Sequence, residues 1–80
     1  MPSRKADDER DADLRRLGSV IARHREKSGK SQESVAEAAG VTERYIRTVE
    51  RGRASPSYRV LIGIAKALGV SLPDLIREAL

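Results

Sequence analysis

Residues 31–52 read SQESVAEAAGVTERYIRTVERG, and this stretch predicts two short helices joined by a tight turn. Ser31 is placed to cap a first helix over residues 32–39. Gly40 can end that helix, because glycine enters the left-handed region without a Cβ clash. Thr42 is then placed to cap a second helix that ends at about Arg51. Since so few residues join the two helices, they must cross steeply rather than lie antiparallel.

The second of these helices has two chemically different sides. Its step of ~100° per residue places Ile46 and Val49 on one side, which is expected to pack inward. The opposite side presents Arg44, Arg47, Thr48 and Arg51. Glu50 projects towards the packed side beside Ile46, where an unpaired carboxylate is strongly destabilising. We therefore expect a cation next to Glu50.

The N-terminal part of the chain contains a polar arm and a first helix. Residues 1–12 lack apolar periodicity and are expected to be a disordered or fraying arm, with the alternative that their acidic residues extend the first helix backwards. The helix is expected to start at Asp11 or Asp13, either of which can cap it, and to run to about Ser28. The remaining chain, residues 13–80, is expected to form one domain.

Two further helices follow the quoted stretch. Ser55 or Ser57 can cap the fourth helix, which should end at Leu68 before a glycine. Ser71 can cap the fifth helix, with an acid three residues later in a variant of the capping box. No alternating strand pattern is present, so the sequence predicts an all-α fold of five helices.

Composition restricts the possible functions. The chain has 80 residues, no Cys and one His, so disulfides and Cys-based metal sites are excluded, and no metal or cofactor is expected. No apolar run approaches the roughly 20 residues of a membrane span, which favours a cytoplasmic location. A catalytic constellation is also missing, because no pair of carboxylates falls in a plausible apolar cleft.

The formal net charge of +4 is distributed unevenly. Residues 14–30 hold six basic side chains against one Glu, and residues 42–53 hold four Arg against two Glu. Residues 1–13, in contrast, are net negative. A local surplus of positive charge suits binding to a polyanion. A solvated helix surface accounts for the same pattern equally well, so charge alone does not decide.

Residues 17–76 resemble the phage Cro/repressor-type helix-turn-helix family, also called the xenobiotic-response-element family. The matching residues are Leu17-Gly18, Ile21, Arg25, Gly29, Ser31-Gln32-Glu33, Val35-Ala36, Gly40-Val41-Thr42, Ile46, Val49-Glu50, Gly52, Pro56-Ser57 and residues 65–72. The second helix of the pair is also similar to that of restriction–modification controller proteins, which are small stand-alone members. The resemblance implies a compact five-helix DNA-binding domain with its helix-turn-helix in helices 2 and 3.

The resemblance also implies roles for matching positions. Helix 3 is expected to lie in the major groove, where Arg can bond to guanine, Glu to cytosine N4 and Thr to a thymine methyl. The expected base contacts are Glu43, Arg44, Arg47 and Thr48. The expected contacts to the DNA backbone are Gln32, Thr42, Tyr45, Arg51 and Arg53. Arg25 matches the arginine that pairs with the family's glutamate at Glu50, in agreement with the cation expected there.

Three positions depart from the family pattern, and one of them is Arg51, which stands where Asn is frequent, so that a phosphate contact is expected in place of a local turn bond. His24 and Lys30 stand where apolar residues are common, which should thin the packing between helices 1 and 2. We expect His24 to be a partly buried packing residue rather than a functional group.

A surplus of apolar residues in helices 4 and 5 predicts a subunit contact. A single recognition helix reads few base pairs, so such proteins usually bind paired half-sites as two-fold dimers. The candidates for the dimer interface are Val60, Ile62, Leu72, Ile76 and Leu80. The alternative is that all five pack within one subunit.

Two classes of function compete at this point. The favoured one is a transcriptional regulator, without catalytic activity or a small-molecule ligand, that binds a two-fold symmetric operator in double-stranded DNA as a homodimer. The other is a protein-interaction module on the same scaffold, such as an antitoxin.

Overall fold

The computed structural model describes the backbone of residues 4–80 and the side chains from residue 8 onward. The described chain forms five α-helices and no strand, which confirms the predicted fold class. The helices are α1 (Arg4–Lys27), α2 (Gln32–Ala39), α3 (Glu43–Glu50), α4 (Tyr58–Leu68) and α5 (Leu72–Ala79). None of the five is both long and apolar enough to cross a lipid bilayer.

Serine and threonine side chains begin the four shorter helices. Each accepts a hydrogen bond from the backbone N–H three residues later, which satisfies one of the donors left free in the first turn. The capping residues are Ser31, Thr42, Ser57 and Ser71. The predicted caps are thus confirmed, with Ser57 rather than Ser55 starting α4. Gly40 ends α2 in the left-handed conformation, with φ +72°, as predicted.

The start of α1 differs from the prediction. The helix begins at Arg4 rather than at Asp11 or Asp13, in agreement with the alternative that the acidic residues extend it backwards, and residues 1–3 lie outside the described residues. The stretch contains no Gly or Pro to break a helix, and its acidic residues stand near the N-terminus, where the helix dipole favours them. Missing apolar periodicity therefore does not prevent a helix in this segment.

All five helices contribute to one hydrophobic core. α2 packs mainly against α4 and α3, while α1 crosses α3 and α5. The largest fully buried side chains are Ile21, Val35, Ile46, Val49, Ile64 and Leu75. Because Ile46 and Val49 both belong to this set, the core fixes which side of α3 faces inward.

Two glycines let α1 approach the end of α3. A Cβ on Gly18 would lie 2.3 Å from the carbonyl oxygen of Val49, and a Cβ on Gly52 would lie 2.6 Å from Cα of Arg15. Real Cβ atoms do not tolerate such distances, so both positions require glycine as long as the helices keep this separation. One turn of α1 therefore holds the C-terminal end of α3 in place.

His24 and Lys30 replace apolar packing with polar contacts. The Lys30 ammonium donates a hydrogen bond to the carbonyl of Ala67 in the last turn of α4. The helix dipole also favours a cation at this end of the helix. His24 is partly buried, as expected, and its Nε2 lies 2.6 Å from Oε2 of Glu78 in α5. Arg23 donates to the other carboxylate oxygen at 3.1 Å. The hydrogen bond from His24 holds the pKa of Glu78 below its usual value, although burial acts in the opposite direction, and the contact with Arg23 lowers this pKa further.

Candidate nucleic-acid interface

The outward side of α3 is polar and accessible because its inward side is locked in the core. Ile46 and Val49 are 0% and 1% exposed. Arg44 is exposed, and Thr48 is partly exposed at the next turn on the same side. The side chains expected to contact base edges thus lie on the free surface of the helix.

Weak local contacts organise this surface. The Arg47 guanidinium donates to the Glu43 carboxylate at 3.3 Å across one helical turn, with both side chains more than 40% exposed. Exposed pairs of this kind contribute at most about 1 kcal/mol, so a nucleic acid can replace them at little cost. The hydroxyl of Thr48 donates to the carbonyl of Arg44 at 2.9 Å, which holds its side chain beside the helix.

A buried ion pair ties this helix to α1. The Arg25 guanidinium donates to the Glu50 carboxylate through Nε at 2.6 Å and Nη2 at 3.0 Å. Only 14% of the Arg25 side chain and 7% of the Glu50 side chain are exposed. The cation inferred from the burial of Glu50 is therefore present. Hydrogen bonding to Glu50 raises the pKa of Arg25, although burial acts in the opposite direction.

Gln32 joins the same carboxylate from α2. Its side-chain amide donates to Oε1 of Glu50 at 3.0 Å. An amide nitrogen carries two hydrogens, so Gln32 keeps one donor that can reach a phosphate while it braces α3. This geometry is compatible with the contact to the DNA backbone that the resemblance implies for Gln32.

The chain leaves α3 through a glycine turn that presents two arginines. Gly52 has φ +73°, and the backbone N–H of Arg53 returns to the carbonyl of Thr48 at 3.0 Å. Arg51 and Arg53 are both exposed on either side of this turn. Within the described residues, neither side chain forms a hydrogen bond or an ion pair. Their guanidinium groups are available for an anionic partner.

Thr42 and Tyr45, which are also expected to contact the DNA backbone, have structural roles of their own. The Thr42 hydroxyl oxygen accepts from the backbone of Tyr45 at 3.0 Å, which leaves the hydroxyl hydrogen as a donor. Tyr45 packs against the core with part of its side chain and remains partly exposed. Both stand at the start of α3, beside Glu43 and Arg44.

The arginines of this face differ from most others in that they lack a carboxylate partner. Carboxylates of the protein contact the guanidinium groups of Arg16, Arg23, Arg25, Arg47 and Arg77. In the described part of the chain no such partner is found for Arg15, Arg44, Arg51, Arg53 or Arg59. Three of these five belong to α3 and the turn that follows it. Most of these unpaired arginines therefore lie in α3 and the turn after it.

A second feature of the surface is an apolar depression between α4 and α5. It has a volume of about 440 Å³ and is lined by Tyr58, Ile62, Leu72, Pro73, Ile76, Arg77 and Leu80. Leu80 is 90% exposed and Tyr58 is 72% exposed. Four of the five residues expected at a subunit contact line this depression. Val60 does not, because it packs against the core, and Tyr58 was not predicted.

Sequence reasoning missed contacts that depend on distant parts of the chain. Glu78 gave no local signal, since its partners lie in α1. Gly18 was noted only as part of a family motif, although an isolated glycine inside a helical pattern can signal a close backbone approach. No group of three or more metal-ligating side chains occurs within the described residues.

Comparison with protein families identifies the class. The sequence model of the family described as Helix-turn-helix matches residues 21–75, which contain both helices of the motif and most of the buried core. The fold and the exposed face of α3 define a DNA-binding protein of the helix-turn-helix class. The chain belongs to this helix-turn-helix family, of the Cro/repressor type, and is a transcriptional regulator with a helix-turn-helix DNA-binding domain.

Relatives of similar length carry the same description. The Uncharacterized HTH-type transcriptional regulator y4dJ of Sinorhizobium fredii is 42% identical over 65 residues, which span 80% of this chain and 84% of the relative. An Uncharacterized HTH-type transcriptional regulator of Methanothermobacter thermautotrophicus is 45% identical over 53 residues, or 66% of this chain and 77% of that protein. These matches confirm the resemblance seen in the sequence.

Solved structures support the same fold. The clp gene regulator ClgR from Corynebacterium glutamicum superposes with a TM-score of 0.80 at 33% identity, covering 84% of this chain and 71% of ClgR. The restriction-modification controller protein C.AhdI from Aeromonas hydrophila superposes with a TM-score of 0.77 at 33% identity, covering 80% and 97% of the two chains. The similarity to controller proteins inferred from the second helix of the motif is thus also found in three dimensions.

Proposed function

We propose that the protein binds a two-fold symmetric DNA operator as a homodimer, with α3 of each subunit in the major groove. The observation that carries this proposal is the orientation of α3: Ile46 and Val49 are buried, and the arginine-rich opposite side is exposed. An α-helix fits the major groove of B-DNA, and its outward side chains then meet base edges.

Base recognition is assigned to the outward residues of α3. Arg44 has no partner within the described residues and can bond bidentately to guanine O6 and N7. Arg47 and Glu43 form a weak, exposed pair that separates easily, after which Arg47 can take a guanine and Glu43 a cytosine N4. Thr48 can touch a thymine methyl.

Backbone contacts surround this helix. Arg51 and Arg53 follow its C-terminal end and can neutralise phosphates on one side of the groove. Gln32, Thr42 and Tyr45 stand at the starts of α2 and α3, where Gln32 and Thr42 each retain a donor hydrogen. Such contacts set the position of the protein on the duplex, while the base contacts select the sequence.

The subunit contact is assigned to the depression between α4 and α5. It is lined by Ile62, Leu72, Ile76 and Leu80, and no residue of α3 is among its lining residues. A second copy can therefore cover the apolar surface without blocking the residues that face DNA. Two copies give the doubled reading surface that a selective operator requires. We further propose a cytoplasmic location and no catalytic activity for this regulator.

A protein-interaction module, such as an antitoxin, remains the second candidate. The exposure of Tyr58 and Leu80 beside an apolar depression favours it, since contiguous apolar patches mark interaction sites. The two candidates differ in how duplex binding responds to salt. Phosphate contacts release counterions, so affinity for DNA should fall linearly with salt on a double-logarithmic scale.

Fluorescence anisotropy with a labelled duplex at increasing KCl measures this response. The proposal predicts a steep negative slope that becomes shallower when Arg51 and Arg53 are both changed to Gln. Lys66→Gln is the control, because Lys66 is an exposed cation on α4 without a partner in the described residues. Absent binding, or a flat salt dependence, would support the protein-interaction candidate.

A further inference from the structure

The N-terminal half of α1 meets the end of α3 at a basic depression. It has a volume of about 320 Å³ and is lined by Asp11, Arg15, Arg51, Gly52 and Arg53. Three guanidinium groups and one carboxylate therefore surround one concavity. Arg51 and Arg53 are already assigned to the DNA backbone, but Arg15 belongs to a different helix, outside the helix-turn-helix.

The position of Arg15 is fixed by packing. Cα of Arg15 lies against Gly52 so closely that a Cβ on Gly52 would come within 2.6 Å of it. One turn further along α1, Gly18 lies against the carbonyls of Val49 and Glu50. The backbone that carries Arg15 is thus held directly against the turn that carries Arg51 and Arg53.

Among the side chains that the structure describes, none pairs with the Arg15 guanidinium. The neighbouring Arg16, in contrast, pairs with the Asp13 carboxylate of the same helix and donates to the carbonyl of Ala79. Arg15 makes no hydrogen bond or ion pair with any described residue. Three like charges around one concavity repel each other, and an anion placed between them relieves that repulsion.

We infer that Arg15 acts with Arg51 and Arg53 to hold a phosphodiester of the DNA backbone, which extends the DNA interface from the helix-turn-helix onto α1. This inference rests on the proposed DNA-binding function and names an additional contact for it. Asp11 lines the same depression and opposes the incoming phosphate, so it limits the affinity of the contact. The site reads no sequence, since phosphates carry none directly.

Four proteins test the inference by salt-dependent duplex binding: the wild type, Arg15→Gln, Asp11→Asn and Lys27→Gln. Lys27 is an exposed cation on the same helix without a partner in the described residues, and lies about 18 Å further along α1 at 1.5 Å per residue. It therefore controls for the loss of one positive charge. Thermal melting confirms that each variant is folded.

Arg15→Gln is expected to weaken binding by about three- to tenfold at low salt and to reduce the salt slope by about 0.9 per bound protomer. Asp11→Asn should strengthen binding, and Lys27→Gln should change it much less than Arg15→Gln does. Equal effects of Arg15→Gln and Lys27→Gln would overturn the inference, because general charge would then explain both. A wild type that binds no duplex would overturn the proposed function and this inference together.

Phosphate ethylation interference then locates the contact. The inference predicts that ethylating particular backbone phosphates weakens binding of the wild type and leaves Arg15→Gln unaffected at those positions. The same interference pattern in both proteins would overturn the inference, because Arg15 would then serve a free anion or none rather than the DNA backbone.

Discussion

Arg25 and Glu50 form a two-point contact, with Nε to Oε2 at 2.6 Å and Nη2 to Oε1 at 3.0 Å, that joins the last turn of α1 to the last residue of α3. Gln32 adds a hydrogen bond from α2 to the same carboxylate. Three helices therefore meet at one buried side chain. Because α3 carries the residues that we propose to face DNA, this contact fixes the angle at which they are presented.

Breaking the ion pair should strongly destabilise the domain. Glu50→Ala leaves a mostly buried guanidinium without its partner, and Arg25→Ala leaves the carboxylate, so each should cost about 3 kcal/mol or more. The charge-swapped double variant Arg25→Glu with Glu50→Arg should recover part of that loss. Urea denaturation measures the free energies of unfolding. Single variants as stable as the wild type would show that the pair does not hold α1 to α3.

Gly18→Ala separates helix propensity from packing. Propensity alone predicts a gain of roughly 0.5–1 kcal/mol for Ala in a helix. The structure predicts a loss of about 3 kcal/mol or more, because the new Cβ would lie 2.3 Å from the backbone oxygen of Val49. Gly40→Ala is the matched control. Nothing lies within 4 Å of its Cβ position, so only the strain of its φ of +72° remains, about 1–2 kcal/mol. A Gly18 variant as stable as the control would contradict the close approach.

Glu78 should make the stability contributed by the contact between α1 and α5 depend on pH. Hydrogen bonding from His24 holds the pKa of Glu78 below 4.5, so the unfolded chain binds more protons than the native one as the pH falls through this region. The stabilising contribution is complete above the unfolded pKa and is lost as the pH falls through the lower folded value. Because the carboxylate is two-fifths exposed, solvent screens this effect and it should be small.

The measurement is the difference in free energy of unfolding between the wild type and Glu78→Gln across this range. That difference should shrink below pH 4.5. Glu37→Gln controls for the loss of one acid, since Glu37 is exposed and has no partner in the described residues. A difference that stays constant as the pH falls would show that Glu78 is not held by His24 and Arg23.

The depression between α4 and α5 should control the oligomeric state. Ile76→Glu places a charge in a surface that a second subunit is proposed to cover, which desolvates the carboxylate on association. Equilibrium sedimentation should therefore find the wild type as a dimer at tens of micromolar, and the variant as a folded monomer. Wild-type protein that remains monomeric at this concentration would contradict the assignment of the surface.

Local chemistry explains why so much of the fold was predictable. Ser31, Thr42 and Ser71 each cap a helix through a contact only three residues long, which the sequence displays directly. The two sides of α3 follow from helical periodicity, and the burial of Glu50 on one of them required a cation. A resemblance to a known family supplied Arg25 as that cation.

The errors arose where the outcome depends on non-local packing or on the lack of a signal. Residues 4–12 show no apolar stripe and still form a helix, because helix propensity favours the extension of one that is already nucleated. Val60 packs inward because the crossing of the helices, not its spacing, decides its neighbours. The depression beside Arg15 exists only because two glycines bring α1 onto the end of α3, which no local pattern indicates.

Selection of bound duplexes from a random pool, carried out in parallel with the wild type and Arg44→Ala, tests most directly whether α3 reads base edges. The account predicts that the wild type enriches a sequence with two symmetric half-sites about one helical turn apart. Arg44→Ala should lose preference at one position in each half-site and keep the others, since a bidentate contact contributes about 1–3 kcal/mol of discrimination. An identical enriched sequence for both proteins, or none for the wild type, would contradict the claim that the outward side of α3 recognises DNA.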